Sequence, residues 1–176
     1  MDVVVAAEKS RGVNVRLAHS IIEEIEKEAR LAGSRLGLVV YSRRPLPLVD
    51  LAGSSSSSGI SEAYNYCPIL DGRPEPLTGI MEAYEMIQDY KPTLPITSTI
   101  VLLWSAAARP RVPLKEALEA MENHGIPVKI IVLKPSPPKW LPRLLGPSYE
   151  PDKLRFVRKT TNIQKLASAI LAEATG

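Results

Sequence analysis

An open, mostly parallel β-sheet covered by helices on both faces is the fold class this sequence predicts, on three observations. Short apolar runs of strand length alternate along the chain with segments whose apolar residues recur at helical spacing. The runs are apolar at nearly every position, as strands buried on both faces require. The 176 residues are 45% apolar and 23% charged, enough for one domain that buries its core without disulfides or metal.

Val3 to Ala7 is the first strand. Val13 to Leu31 follows as a helix with Leu17, Ala18, Ile21, Ile22, Ile25 and Ala29 on one face, Asn14 as N-cap and Gly33 as stop. Leu36 to Tyr41 is a second buried strand. Arg43-Arg44-Pro45 turns the chain into Leu46 to Leu51, and Pro47, which has no N–H to give, confines that run to a sheet edge. These two strands therefore form a hairpin. Five serines between Gly53 and Gly59 are low in complexity, and a flexible loop is expected over about 52–76, with a weak helix signal at Ser61 to Tyr64. Thr78 opens a helix that carries Leu77, Ile80, Met81, Tyr84 and Ile87 on one face. Thr99 to Trp104 is a strand, Leu114 to His124 a helix and Val128 to Leu133 a strand. After a connection rich in proline, Leu154 to Val157 is a last strand and Ile163 to Glu173 a last helix, with Leu166, Ala167, Ile170 and Leu171 inward. This order asks for six strands, all parallel except one antiparallel edge strand.

Composition narrows the chemistry. Cys67 is alone, so no intrachain bridge and no cysteine-based zinc or iron–sulfur site can form. Two histidines, His19 and His124, leave little for a metalloenzyme. There is no glycine-rich dinucleotide loop after the first strand, no phosphate loop and no Gly-x-Ser-x-Gly elbow. Lys9-Ser10-Arg11-Gly12 ahead of a helix is only a short, common anion-cradle signal. The net charge of +3 is too mild by itself to argue for nucleic acid. No apolar run reaches the roughly 20 residues of a membrane span, and the chain opens on strand-like residues rather than a basic leader, so a cytoplasmic protein or an excised domain is expected. Sixteen prolines with two glutamines and four asparagines lean toward heat adaptation.

The succession of elements, with its hairpin after the first helix, resembles a von Willebrand factor type A domain, and residues carry the resemblance too. Leu31 to Tyr41 is similar to the family's turn into its second strand and Pro76-Leu77-Thr78-Gly79 to its threonine loop. Ser98 to Ser105 is similar to its fourth strand and Gly125 to Leu133 to its fifth. Among subfamilies the chain is most similar to prokaryotic MoxR-ATPase-associated proteins of unknown function. The resemblance implies a three-layer α/β/α, doubly wound, Rossmann-like fold. It also implies a site for Mg²⁺ or Mn²⁺ built from Asp-x-Ser-x-Ser after the first strand, a threonine, and an aspartate after the fourth strand, completed by a partner's carboxylate. Here the first loop is Ala6-Ala7-Glu8-Lys9-Ser10-Arg11-Gly12, readable as Glu-x-Ser-x-Gly or, two residues earlier, as Ala-x-Glu-x-Ser. After the fourth strand no acid occurs until Glu116. A degenerate site without cofactor is expected; the alternative is Mg or Mn on Glu8, Ser10 and Thr78.

In an open α/β sheet the binding crevice lies beyond the carboxyl ends of the strands, where strand order reverses. At those ends the sequence places Lys9, Arg11, Arg43, Arg44, Arg109, Arg111, Lys134, Lys139, Arg158 and Lys159, while the acids concentrate on helices. The expected function is non-enzymatic: a protein-interaction module that meets an acidic partner through Lys9, Ser10, Arg11, Arg43, Arg44, Thr78, Ser105, Arg109 and Arg111. An AAA ATPase of MoxR type is the partner the resemblance implies. The alternatives are a metal-dependent binding domain, a nucleic-acid binder and a Rossmann-like nucleotide binder. Glu8 with Ser10 reads either as a remnant ligand pair or as a strand-end carboxylate bonded to loop amides. Trp104 is expected in the core or lining the crevice, His124 in the last turn of its helix, and His19 in solvent; Trp140 is open to either reading, and Cys67 has no evident base beside it.

Overall fold

The structure is a computed structural model and describes residues 1–51, 59–91, 96–146, 149 and 153–175. β1 (Asp2–Glu8) is the pivot of the sheet, pairing in parallel with β2 (Arg35–Tyr41) on one side and β4 (Ser98–Trp104) on the other. β3 (Pro45–Val49) runs antiparallel on β2, and β5 (Val128–Val132) and β6 (Leu154–Phe156) extend the other half in parallel. The order is β3-β2-β1-β4-β5-β6, so the winding reverses between β1 and β4. Between the strands lie α1 (Val15–Leu31), α2 (Ile60–Tyr66), α3 (Pro76–Asp89), α4 (Lys115–Asn123) and α5 (Leu141–Leu145), and α6 (Ile163–Thr175) follows β6. This is the predicted three-layer α/β/α architecture with one antiparallel edge.

Side chains alternate across a strand, and the two cores follow that period. Val3, Val5 and Ala7 of β1 join Leu38, Val40, Val101 and Leu103 beneath α1, α2 and α6. Val4 and Ala6 join Val39, Tyr41, Ile100, Leu102 and Trp104 beneath α3, α4 and α5. All seven residues of β1 are buried, which a central strand covered twice demands. Asn14 caps α1 as predicted, its side-chain oxygen accepting from Leu17 N at 3.1 Å. Gly125, at φ +73°, follows His124 at the end of α4.

Two expectations change, and the open reading of Trp140 is settled. The loop foreseen over about 52–76 contains a full helix, α2, whose Ile60 and Tyr64 are buried; residues 52–58 of the serine-rich stretch lie outside the described residues. The buried face of α3 is Ile80, Ala83, Met86 and Ile87, whereas Met81 is 40% exposed. The rotation follows from Gly79, where an added Cβ would lie 2.6 Å from the Tyr41 ring, so the helix rests its bare backbone on that ring. Trp140 packs against buried Trp104 with ring centroids 5.6 Å apart, and is half-buried.

Candidate functional site

The carboxyl ends of β1 and β4 meet in one hydrogen-bonded cluster around Glu8, the last residue of β1 and 0% exposed. Ser10 Oγ donates to Glu8 Oε2 at 2.5 Å, and Ser105 N donates to Oε1 at 3.1 Å. The Ser105 hydroxyl lies 3.0 and 2.8 Å from the two carboxylate oxygens, so its single proton is given to, or shared between, them. The same hydroxyl accepts from Ala107 N at 3.3 Å, which fixes its direction of donation toward Glu8. That turn requires Ala106 at φ 51°, a left-handed conformation costly for a residue with a Cβ. Lys134 holds it there by donating to the Ala106 carbonyl at 3.0 Å. Glu8 is thus served by serine hydroxyls as well as one backbone amide, a mixture the sequence did not separate.

Lys9 departs from the sequence reading. It is 3% exposed and turned inward, its ammonium donating to the Tyr64 carbonyl at 2.7 Å and standing 4.2 Å from the centre of that ring. It cannot meet a partner as a rim residue; instead it pins α2 to β1, and Tyr64 OH completes the clamp by donating to Glu8 O at 2.8 Å. Burial lowers the Lys9 pKa, with a smaller opposing pull from Cys67. Burial likewise raises the Tyr64 hydroxyl, helped by the charge of Glu8. The Cys67 thiol is raised by desolvation, which the nearby Lys9 partly offsets. It is therefore poorly disposed to form a nucleophilic thiolate.

Thr78 is half-buried, and its hydroxyl donates to the Glu75 carbonyl at 2.7 Å. Of Glu8, Ser10 and Thr78, the structure hydrogen-bonds the first two to each other and commits the hydroxyl proton of the third elsewhere. A hard divalent cation takes six or more oxygens and draws most of its attraction from carboxylates. Here one carboxylate is present and both its oxygens accept from serines. No group of three or more His, Cys, Asp or Glu among the described residues is placed to hold a metal ion. As arranged, Glu8, Ser10 and Thr78 supply one anionic group between them, fewer than a hard divalent cation ordinarily draws on.

Of the exposed cations at the strand ends, Arg11 borders the cleft above this cluster. Arg11, Arg43, Arg44, Arg109 and Arg111 are all exposed, as are Lys139, Arg158 and Lys159. Arg73, also exposed, was missed in the sequence; its guanidinium donates to the Arg109 carbonyl and ties the 68–75 loop to the segment after β4. Glu75 was missed as well. It is 9% exposed, its Oε1 accepts from Arg111 N at 3.0 Å, and its own N–H donates to Ser42 O at 2.9 Å. An acid directly before Pro76 at a helix start was its available signal, since carboxylates favour that end of the helix dipole. Asp71 faces Arg11 at 4.0 Å with both side chains solvated, a pairing of little strength.

A sheet that reverses between β1 and β4, with a single antiparallel edge strand and helices on both faces, is a von Willebrand factor type A-like fold, and solved structures share it. Proximal thread matrix protein 1 from the mussel byssus superposes with a TM-score of 0.77 at 14% identity, over 97% of this chain. This chain spans 46% of the mussel protein, about half its length. An aerotolerance-related membrane protein from Bacteroides fragilis matches at a TM-score of 0.76 and 12% identity, covering 99% of this chain and 98% of that one. The conserved hypothetical protein BatB from Bacteroides thetaiotaomicron matches at 0.72 and 13%, each chain covered in full at 100%. One structure of the mussel protein holds zinc in a motif named MIDAS. No protein-family model matches the sequence, and no curated protein does. No helix among the described residues is long and apolar enough to cross a membrane.

Proposed function

We propose that the chain is a non-enzymatic, cytoplasmic protein-binding module whose strand-end rim grips an acidic surface of another protein, with guanidinium groups standing where a bridging cation would otherwise join two carboxylates. The observation that supports this reading is the closure of Glu8 by Ser10 and Ser105 beneath a cleft bordered by exposed Arg11, with Arg43, Arg44, Arg109 and Arg111 exposed just after the two strands that flank β1. A carboxylate already satisfied by hydroxyl and amide donors has little to offer a cation, whereas arginine binds a partner's carboxylate in two parallel hydrogen bonds. The first partner to test is a MoxR-type ATPase from the same genome.

Two measurements test the reading. Calorimetric titration with MgCl₂ and with MnCl₂ is expected to give no saturable heat; saturable binding would overturn the cation-free half of the proposal. Replacing Arg11 and Arg109 together by alanine is expected to leave the melting temperature unchanged, because both side chains are solvated, and to weaken binding to that ATPase about tenfold. Equal binding by the double variant and the parent would remove the rim from the interface.

A further inference from the structure

The rim is not one surface but two clefts that share a wall. One, of about 450 Å³, opens above the Glu8 cluster between Ser10, Arg11, Pro74, Ala107 and Ala108. The other, of about 400 Å³, lies over the start of β3 among Arg43, Arg44, Pro45 and Leu46. Leu70, Asp71 and Gly72 border both. This wall is fixed from below, because Leu70 N donates to Lys9 O at 2.8 Å and Gly72 O accepts from Ser42 Oγ at 2.8 Å. Gly72 sits at φ +95°, and a Cβ there would come within 2.6 Å of Arg43 Cβ, so only glycine lets the wall lie against that arginine.

Both clefts present more carbon than polar surface, and they differ in what lies beside it. The first has Glu8 and Ser10 in its lining, whereas the second has the Pro45 ring, Leu46 at 41% exposure and half-buried Leu70 under two exposed guanidiniums. Strand addition is not how a partner uses this edge. Arg44 O accepts from Ser42 N at 3.2 Å, so Arg44 faces β2; by the two-residue alternation Pro45 and Pro47 turn outward, where neither has an N–H to offer. What this end of the edge offers is a side-chain pocket with positive charge at its lip.

We infer that the cleft over Pro45, Leu46 and Leu70 receives an apolar side chain adjacent in sequence to the carboxylates that the arginines bind, so that the recognised partner segment is a short acidic run followed by leucine or phenylalanine. Charge complementarity selects the acids and the carbon-lined cleft selects their neighbour. This inference rests on the acidic-partner reading above.

Fluorescence anisotropy with three labelled octapeptides tests it. All carry Gly-Ser ends, and their centres are Glu-Glu-Leu-Phe, Glu-Glu-Ser-Ser and Lys-Lys-Leu-Phe. The expected result is that the first binds about tenfold more tightly than the second, the gain from burying one apolar side chain in part, while the third does not bind. Leu46→Asn, at an exposed position that leaves the core intact, is expected to erase the preference without lowering the melting temperature. If the two acidic peptides bind equally, with affinity falling as salt rises, the apolar cleft is wrong and the acidic-partner reading stands. If Lys-Lys-Leu-Phe binds as well as Glu-Glu-Leu-Phe, or if neither acidic peptide binds, the acidic-partner reading itself falls and takes the cleft with it.

Discussion

At Ser105 one residue performs three jobs: its backbone amide and its hydroxyl both serve Glu8, and the hydroxyl oxygen receives Ala107 N. Removing that hydroxyl leaves a buried carboxylate short of a donor and frees the Ala107 amide, which is part-buried, from its acceptor. Ser105→Ala is therefore expected to destabilise the fold by about 2 kcal/mol, read as a lower urea midpoint with unchanged slope. Ser105→Asp asks the complementary question. It sets a second carboxylate against Glu8 at the position where the resemblance implies an aspartate. In chelator it is expected to cost about 3 kcal/mol, because two buried like charges face each other, and millimolar Mg²⁺ or Mn²⁺ is expected to return most of that loss. A variant as stable as the parent in chelator would mean that Glu8 is not closed in the way its hydrogen bonds indicate. The identities of Glu8, Ser10 and Ser105 were legible in the sequence because they stand at strand ends. The inward turn of Lys9 was not, because it depends on Tyr64, a residue 55 positions away that reaches β1 only once α2 has packed.

Among the elements, α3 shows how a single small residue sets a helix face. Apolar spacing alone admitted a stripe through Met81, and the choice of Met86 instead comes from the contact of Gly79 with the Tyr41 ring, which no local pattern encodes. Gly79→Ala is expected to destabilise the protein by about 2 kcal/mol despite alanine's better helix propensity, since the new methyl must displace a fully buried ring whose hydroxyl is tied to Leu103 O at 3.0 Å. Chemical denaturation checks the sign: a more stable variant would mean that the ring yields freely. The strands were legible almost to the residue because continuous apolar runs bounded by turn residues have few other readings. The short helix α2 showed only as the weak signal at Ser61 to Tyr64, since seven residues with a weak pattern owe their helix to the burial of Ile60 and Tyr64 rather than to propensity. Pro47 was read as an edge signal, and the structure adds Pro45 to the strand and shows which way both face.

Over the whole molecule charge is polarised along the strands. The arginines crowd the carboxyl end of β1, while Asp50, Glu82, Glu85 and Asp89 line a groove between β3 and α3 toward the other end. Beneath the basic end lie four buried ionisable groups, Tyr41, Tyr64, Lys9 and Cys67, whose pKa directions bear on how the fold responds to alkali. Tyr41 and Tyr64 are both raised, first by burial and then by the charge of Glu8, so the folded state keeps protons that the unfolded chain releases near pH 10. Stability from these two is fully present below pH 10 and is lost as pH climbs above it, at roughly 1.4 kcal/mol per pH unit for each. Lys9 acts in the opposite sense. Its pKa is lowered by burial, so up to the unfolded value of 10.5 the unfolded chain holds the extra proton and stability rises with pH; beyond 10.5 the lysine adds no slope. Cys67, raised from 9.0, adds to the tyrosines' loss from a lower starting pH. The net expectation is a shallow pH dependence up to about 10, a fall that Lys9 partly offsets between about 10 and 10.5, and above 10.5 a fall of about 3 kcal/mol per pH unit from the two tyrosines. Urea midpoints measured from pH 8 to 11 read this directly. Tyr64→Phe is expected to lower the midpoint at pH 8 through loss of its bond to Glu8 O, and to halve the slope above 10.5. A parent protein equally stable at pH 10 and 11 would show that these hydroxyls titrate as freely in the fold as out of it, and that the clamp joining α2 to the floor of the basic rim is open to water.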